Sequence, residues 1–458
     1  MTRILHIAPH LGGGVGQVLG NIAAASRGSS FEREFILLDV PGDESCRNIE
    51  TYSLDIRSLS DITERVKRAD IVQIEWWNHP RLARLLGSFP LPPCRLAVYS
   101  HISGFYYPNL ITGAIVDYAD RFVVSTGYAL KANPLLRRLI ADGAGGKLDA
   151  IHSCSGLGRV ANVRRTAHSG FRVGYLGTLN FAKLHPDFIS MSVAAQIPDV
   201  RFTVYGQGAD RSVIEEQIQL NGATERFELV GYVIDIAPVF GSMDVLGYPL
   251  NKRHYGTGEQ VLIESMGAGV PAVVMNNGPE LEIVQDGYNG MVASSPQAYS
   301  RCLEQLAANP ELLERMGRNA KEHAMRHFSI RSTLDRFGSL YDTMMAHPKK
   351  SRALLGNPFP GASEGLTCFL NSLGEHAEPY IQSAFSEDDQ TRLAADRYIA
   401  QENIEYVADS KGTLFQYQKF FPGDAVLTYW CGLIMQGRGE HGKALRYFSE
   451  AEALGFKT

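Results

Sequence analysis

The sequence predicts an α/β protein built as two doubly wound sheets in tandem, facing a cleft, with a small all-α C-terminal extension. Three observations carry this prediction. Short, nearly continuous apolar runs alternate with helical patterns up to about residue 306, as parallel strands buried on both faces require. The alternation breaks once, over 154–169, where Gly, Ser and Arg follow no period and a linker is expected. Beyond Gly356-Asn357-Pro358-Phe359-Pro360-Gly361, which reads as a boundary, the pattern is mostly helical. The expected domains are therefore 1–160, 170–346 and 362–458.

The first series places strands at 4–8, 35–40, 70–75, 95–100 and 121–125, with helices that include 15–26 and 61–68. The second places strands at 172–176, 201–205, 227–230, 244–247, 271–275 and 290–293. Helices at 212–221, 261–267 and 298–306 separate them, and 310–347 closes the unit. Strands separated by helices indicate βαβ units and a doubly wound sheet. Ligands of such sheets bind at the carboxyl ends of the strands, so two facing sheets put the natural site between the domains. In the tail, Gly432, Gly439, Ala444, Phe448 and Ala451 match the small-and-aromatic spacing of one tetratricopeptide repeat.

Composition bounds the function. The 458 residues carry 44 Lys+Arg and 49 Asp+Glu, a net charge of -5, which argues against a dedicated nucleic-acid binder. Six cysteines, Cys46, Cys94, Cys154, Cys302, Cys368 and Cys431, lie far apart with no metal or redox spacing. That use fits reduced thiols in a cytosolic protein. The N-terminus lacks the long apolar segment of a signal peptide, and no window approaches the ~20 apolar residues of a membrane helix. A cytoplasmic location is expected, either outright or peripheral at the inner membrane face. No strongly basic amphipathic helix supports the latter.

Four segments could carry chemistry. Pro9-His10-Leu11-Gly12-Gly13-Gly14-Val15-Gly16 follows a strand and opens a helix, so backbone N–H groups can approach an anion there. A tight strand–helix turn reads equally well. Tyr99-Ser100-His101-Ile102 puts His101 at a strand end, where an imidazole can meet a hydroxyl, although a lone His is more often structural. Gly177-Thr178-Leu179-Asn180-Phe181-Ala182-Lys183 sets a Lys just past the first strand of the second unit. It is suited to a leaving diphosphate unless it is a solvated surface Lys. Tyr255-Gly256-Thr257-Gly258-Glu259-Gln260 leads into a helix bearing Glu264, whose carboxylate suits ribose hydroxyls or merely faces water. The aromatic groups Trp76-Trp77-Asn78-His79-Pro80 and Tyr106-Tyr107-Pro108 either stack on an acceptor sugar or anchor buried loops.

These segments, with Gly206-Gln207-Gly208, Gly231-Tyr232-Val233, Asp244 before Pro249, Glu264-Ser265-Met266-Gly267-Ala268-Gly269-Val270-Pro271 and Asp286-Gly287-Tyr288-Asn289-Gly290, stand in an order that resembles the family-4 retaining glycosyltransferases of GT-B fold over about residues 1–346. The resemblance implies two Rossmann-like domains, an N-terminal acceptor domain and a C-terminal donor domain. A nucleotide-diphosphate-sugar is then the donor substrate, with no other cofactor; no metal is expected, because no DxD-type aspartate pair stands in a suitable loop and Asp388-Asp389 lies in the tail. Lys183 matches the lysine on the diphosphate, Glu264 the second glutamate of the E-x7-E motif on the ribose, and His101 a histidine near the transferred sugar. Val233 falls where backbone meets the base, and Gly13 and Gly14 where backbone approaches the phosphates or the sugar.

Two positions depart from the family. Gly256 stands where the first glutamate is usual, eight residues before Glu264, and Thr178 where an Arg is usual, five before Lys183. Glu259, or backbone N–H groups of Thr257, Gly258, Glu259 and Gln260, then take over the sugar. Lys252, Arg253 or His254 can supply charge. The expected activity is retaining, metal-independent sugar transfer in bacterial polysaccharide, glycolipid or glycoconjugate synthesis, onto a saccharide, lipid-linked or protein acceptor. The alternatives are another GT-B enzyme such as a nucleotide-sugar epimerase, or a degenerate, non-catalytic protein whose helical tail binds a partner protein.

Overall fold

The computed structural model describes residues 1–39, 51–53, 59–154, 156–356, 359–402 and 412–456. Cys46, the end of the strand expected at 35–40, part of the 154–169 linker and Asn357-Pro358 of the boundary fall outside these residues.

The first sheet consists of β1 (Thr2–Ala8), β2 (Phe31–Leu37), β3 (Thr51–Ser53), β4 (Ile71–Trp76), β5 (Leu96–Ser100), and, after a short hairpin β6 (Phe105–Tyr106) and β7 (Asn109–Leu110), β8 (Arg121–Val124) and β9 (Leu148–Ala150). Their order is β3-β2-β1-β4-β5-β8-β9, and every pairing is parallel. The second sheet holds β10 (Arg172–Leu176), β11 (Arg201–Tyr205), β12 (Phe227–Gly231), β13 (Val245–Tyr248), β14 (Ala272–Met275) and β15 (Gly290–Ala293), ordered β12-β11-β10-β13-β14-β15 and again all parallel. In both sheets the order reverses beside the first strand, which opens a crevice at the carboxyl ends. The short β3 and β9 went unread in the sequence: three residues of mixed polarity, such as Leu148-Asp149-Ala150, carry no apolar run.

The two faces of the first sheet differ. Leu5, Ile7, Val72, Ile74, Val98 and Phe122 join one apolar cluster with the helix Pro80–Ser88. The opposite face carries Ile4, Ile71, Ala97, Tyr99 and Val123, but also His6, Gln73 and Glu75, all buried. Side chains two apart on a strand share a face, so Gln73 and Glu75 sit together in mid-sheet.

What covers that face differs from the sequence reading. Helix Ile330–Met345, expected to close the second unit, packs Phe337, Leu340, Tyr341 and Met344 against the first sheet. Its apolar stripe matches the face that β1, β4 and β5 leave open, so the chain crosses back after Phe328. The 154–169 stretch is likewise packed: Leu157 and Val160 belong to the second core, against Gly267.

The tail forms helices at Glu364–Leu373, Glu378–Phe385, Asp389–Glu402, Leu414–Phe420, Ala425–Gly437 and His441–Ala453 around Phe369, Tyr380, Tyr417 and Trp430. The segment read as one repeat is a single helical hairpin, closed where the Phe448 ring lies over Gly432. The bundle sits on the first domain. Glu364 receives Arg84 Nε at 3.1 Å and Ser88 Oγ at 2.7 Å. Asn78 Nδ2 donates to Pro108 O at 2.7 Å and Gly412 O at 3.1 Å, and Tyr417 Oη donates to Asn78 Oδ1 at 2.8 Å. Among the described residues, no helix is long and apolar enough to cross a membrane.

Candidate functional site

On the first domain, β5 delivers His101 to the crevice, where its backbone N–H donates to Trp76 O at 2.8 Å. The ring is anchored from below. His101 Nε2 lies 2.7 Å from Glu75 Oε2, and His6 Nδ1 lies 2.6 Å from Glu75 Oε1. Gln73 Nε2 donates to the same Oε1 at 2.9 Å, and Arg33 Nη1 reaches His6 Nε2 at 2.9 Å. Tyr341 closes the network from the crossing helix by donating to Gln73 Oε1 at 2.7 Å. Complete burial would raise the Glu75 carboxyl, but the hydrogen bonds from His101 and His6 prevail and bring it down to about 2. Burial keeps His6 below its usual value.

The glycine-rich turn stands beside this group. Gly12 N–H donates to His10 Nδ1 at 3.1 Å, Gly13 adopts a φ of +66°, and helix Gly13–Ala25 begins there. A Cβ built on Gly13 or Gly14 would meet no atom within 4 Å, so both face open space. Backbone at this helix start is free to approach a ligand.

The second domain contributes Lys183, after β10, and the loop after β13. Lys183 Nζ lies 3.0 Å from Glu259 Oε2 and 6.0 Å from the centre of the Tyr248 ring. Tyr248 Oη donates to the same Oε2 at 2.6 Å. His254 stands 3.8 Å from Glu259 Oε1 and 3.1 Å from Glu280 Oε2, and Asn277 Nδ2 donates to Glu280 Oε1 at 3.0 Å. Burial opposes charge on Lys183 and His254, yet the adjacent carboxylates raise both. Burial likewise opposes the Glu259 carboxylate, and Lys183 and His254 outweigh it and lower its pKa. Lys183, Glu259, His254 and Glu280 thus form one cluster, buried except at the partly exposed Lys183.

This loop bridges the domains. Ser103 N–H donates to Tyr255 O at 3.0 Å, Thr257 hydrogen-bonds Ser125 through their hydroxyls, and Gln260 Nε2 donates to Ser153 Oγ at 2.8 Å. The His101 turn and the Lys183–Glu259 group therefore border one crevice. Gly258 packs on Ser153 Oγ. Gly256, the position without the expected glutamate, packs on Glu259 Oε1, which fills the space a side chain there would need.

The remaining expected residues have other partners or surroundings. Glu264 is buried in helix Gln260–Gly267 and pairs with Arg159 from the stretch between the domains. Val233 is half-buried beyond β12, between the exposed Tyr232 and Ile234. Trp76, Trp77, Asn78 and His79 are all buried, as loop anchors rather than open stacking faces. Sequence reasoning missed Glu75, His6 and Arg159. The signal for Glu75 was present as two polar residues at alternate positions of an otherwise apolar strand. Nothing local marked Arg159.

Comparisons follow the same division. Residues 164–323 match the family Glycosyl transferases group 1. EpsD of Bacillus subtilis (strain 168), a protein named for glycosyl transfer, is 28% identical over 188 residues, 40% of this chain and 48% of that protein. D-inositol 3-phosphate glycosyltransferase of Streptomyces griseus is 31% identical over 121 residues, 26% of this chain and 25% of that protein. The chain thus spans about half or less of these relatives' length. Among solved structures, Anabaena HepE in complex with UDP and glucose superposes with a TM-score of 0.60 at 16% identity, over 75% of this chain and 100% of HepE. A glycosyltransferase from Rickettsia africae gives a TM-score of 0.62 at 13% identity, over 75% of this chain and 98% of that one.

Proposed function

We propose that this chain, whose residues 164–323 match the family Glycosyl transferases group 1 and whose fold is GT-B-like, moves a sugar from a nucleotide-diphosphate-sugar to an acceptor hydroxyl with retention of anomeric configuration. One observation carries the reading: the pair of half-buried Lys183 with buried Glu259 and the Glu75-anchored His101 border the same crevice, joined by Ser103 and Tyr255. In this reading Lys183 turns to the donor diphosphate and stabilises the charge that develops as the anomeric C–O bond breaks. The acceptor oxygen bonds to the anomeric carbon on the face the diphosphate leaves. Its proton passes to the departing phosphate oxygen, so no side-chain base and no metal is needed. His101 orients the transferred sugar, and Glu259 replaces the family's first glutamate in reading its hydroxyls. Glu264 takes the ribose, Val233 backbone the base, and the N–H groups at Gly13, Gly14, Thr257 and Gly258 the phosphates or sugar. The acceptor is a saccharide, a lipid-linked sugar or a protein, in bacterial glycoconjugate synthesis.

The internal pairing of Lys183 with Glu259 and of Glu264 with Arg159 favours a second reading, a degenerate protein that binds no donor. Calorimetry against UDP, GDP, ADP, dTDP and CMP, then their sugars, separates the two. UDP is tried first because HepE holds it. Binding of one diphosphate, lost in Lys183→Ala and Glu264→Ala, supports the transferase. Binding of none supports the degenerate reading.

A further inference from the structure

We propose that Glu75 is the positioning residue of His101, a buried carboxylate that decides which imidazole nitrogen carries the proton and therefore which one faces the crevice. The proposal deepens the reading above, in which His101 meets the transferred sugar.

The hydrogen-bond directions are forced. A guanidinium only donates, so Arg33 Nη1, 2.9 Å away, makes His6 Nε2 an acceptor. Neutral His6 then carries its hydrogen on Nδ1 and donates it to Glu75 Oε1 at 2.6 Å. Gln73 Nε2 fills the rest of that oxygen at 2.9 Å. Oε2 is left for His101 alone, at 2.7 Å. A carboxylate has no hydrogen to give, so His101 Nε2 must supply one. In the neutral ring Nδ1 is then an acceptor, and it makes no hydrogen bond among the described residues. On a side chain 5% exposed, it is the one ring nitrogen left to accept a hydrogen bond from a sugar hydroxyl.

The surroundings fix the ring as well as the proton. Tyr99 meets His101 edge-on at 4.6 Å and Trp77 at 6.2 Å. The titratable or charged groups around Glu75 come from every neighbouring element: His6 on β1, Arg33 on β2, Tyr99 on β5, His101 beyond it, and Tyr341 on the covering helix. A carboxylate in mid-sheet is expensive to bury, and an apolar residue of the same volume would pack there more favourably. The orienting of His101 is the return on that cost, the arrangement by which a carboxylate behind an imidazole sets its tautomer.

The test uses the full-length chain labelled with ¹⁵N-histidine, with the His101 signals assigned by their loss in His101→Gln. In the wild type, His101 is expected with a protonated Nε2 and a bare Nδ1. Glu75→Gln keeps one carbonyl oxygen for two imidazoles and turns an N–H toward the other, so the His101 tautomer should become mixed. Release of UDP from UDP-glucose should then fall about ten- to hundredfold in kcat, with donor KM changed less than about threefold. His6→Gln leaves Oε2 in place and should leave the His101 tautomer unchanged. A wild-type His101 protonated on Nδ1, or an unaltered tautomer in Glu75→Gln, overturns the proposal. The wild-type spectrum and His6→Gln decide the matter if Glu75→Gln does not fold. Absence of turnover with every nucleotide sugar counts against the transferase reading and leaves the tautomer result standing.

Discussion

Gly256 and Glu259 occupy one place in the fold: a Cβ on Gly256 would overlap Glu259 Oε1, and it would also lie 3.2 Å from His254 Nδ1. The departure at 256 and the carboxylate at 259 are therefore linked. A glutamate at 256 and the present Glu259 rotamer exclude each other, and the rotamer is fixed by Lys183 and Tyr248.

The first prediction follows from that overlap. Gly256→Glu should lower unfolding free energy by about 1–3 kcal/mol, the usual range for overpacking. Adding Glu259→Ala to it should recover most of the loss. Urea denaturation of the two variants checks this, and equal destabilisation by both would show that the positions are independent.

Lys183→Ala should destabilise the protein before any donor is considered. It leaves the Glu259 carboxylate, 3% exposed, without its ammonium, and stranding a buried charge costs up to about 3–5 kcal/mol. Lys183→Met with Glu259→Gln removes both charges and should regain most of that. A double-mutant cycle measured by urea midpoint gives the coupling.

Acid should remove stability in two stages. Burial brings His152 down to about 4 from 6.5; its ring packs on Phe328 at 5.0 Å, and its Nδ1 has no hydrogen-bond partner among the described residues. The unfolded chain takes up this proton first, so stability present above pH 6.5 declines as pH falls toward 4. Glu75, at about 2 in the native state against 4.5 unfolded, adds stability that is complete above pH 4.5 and lost as pH falls toward 2. His152→Phe should shrink the first stage, to which the lowered His6 also contributes, and leave the second, as read from urea midpoints across pH.

The C-terminal helices should unfold with the first domain. Tyr417→Phe leaves the buried Asn78 Oδ1 without its donor and should cost about 1–3 kcal/mol. Phe420→Ala removes a ring that lies 5.3 Å from His79 and 4.9 Å from the Arg81 guanidinium carbon. Both variants should lower the midpoint of one shared thermal transition. A separate early transition of the tail alone would contradict that coupling.

The sequence by itself determined the two parallel sheets, the helical tail and the segments that reach the crevice. Those features are local: apolar runs of strand length, helix periods and glycine turns act through neighbours a few residues away. Hence 172–176, 201–205 and 290–293 are strands as expected, and His101 and Lys183 lie just beyond β5 and β10. Tertiary structure alone decided the partners. Glu75 meets His6 across 69 residues, Glu264 meets Arg159 across 105, and Tyr341 meets Gln73 across 268. Such pairings depend on how sheets and helices pack, and local periodicity does not encode them. The same holds for helix Ile330–Met345: its apolar stripe is legible in sequence, but its target is fixed by the open face that β1, β4 and β5 present.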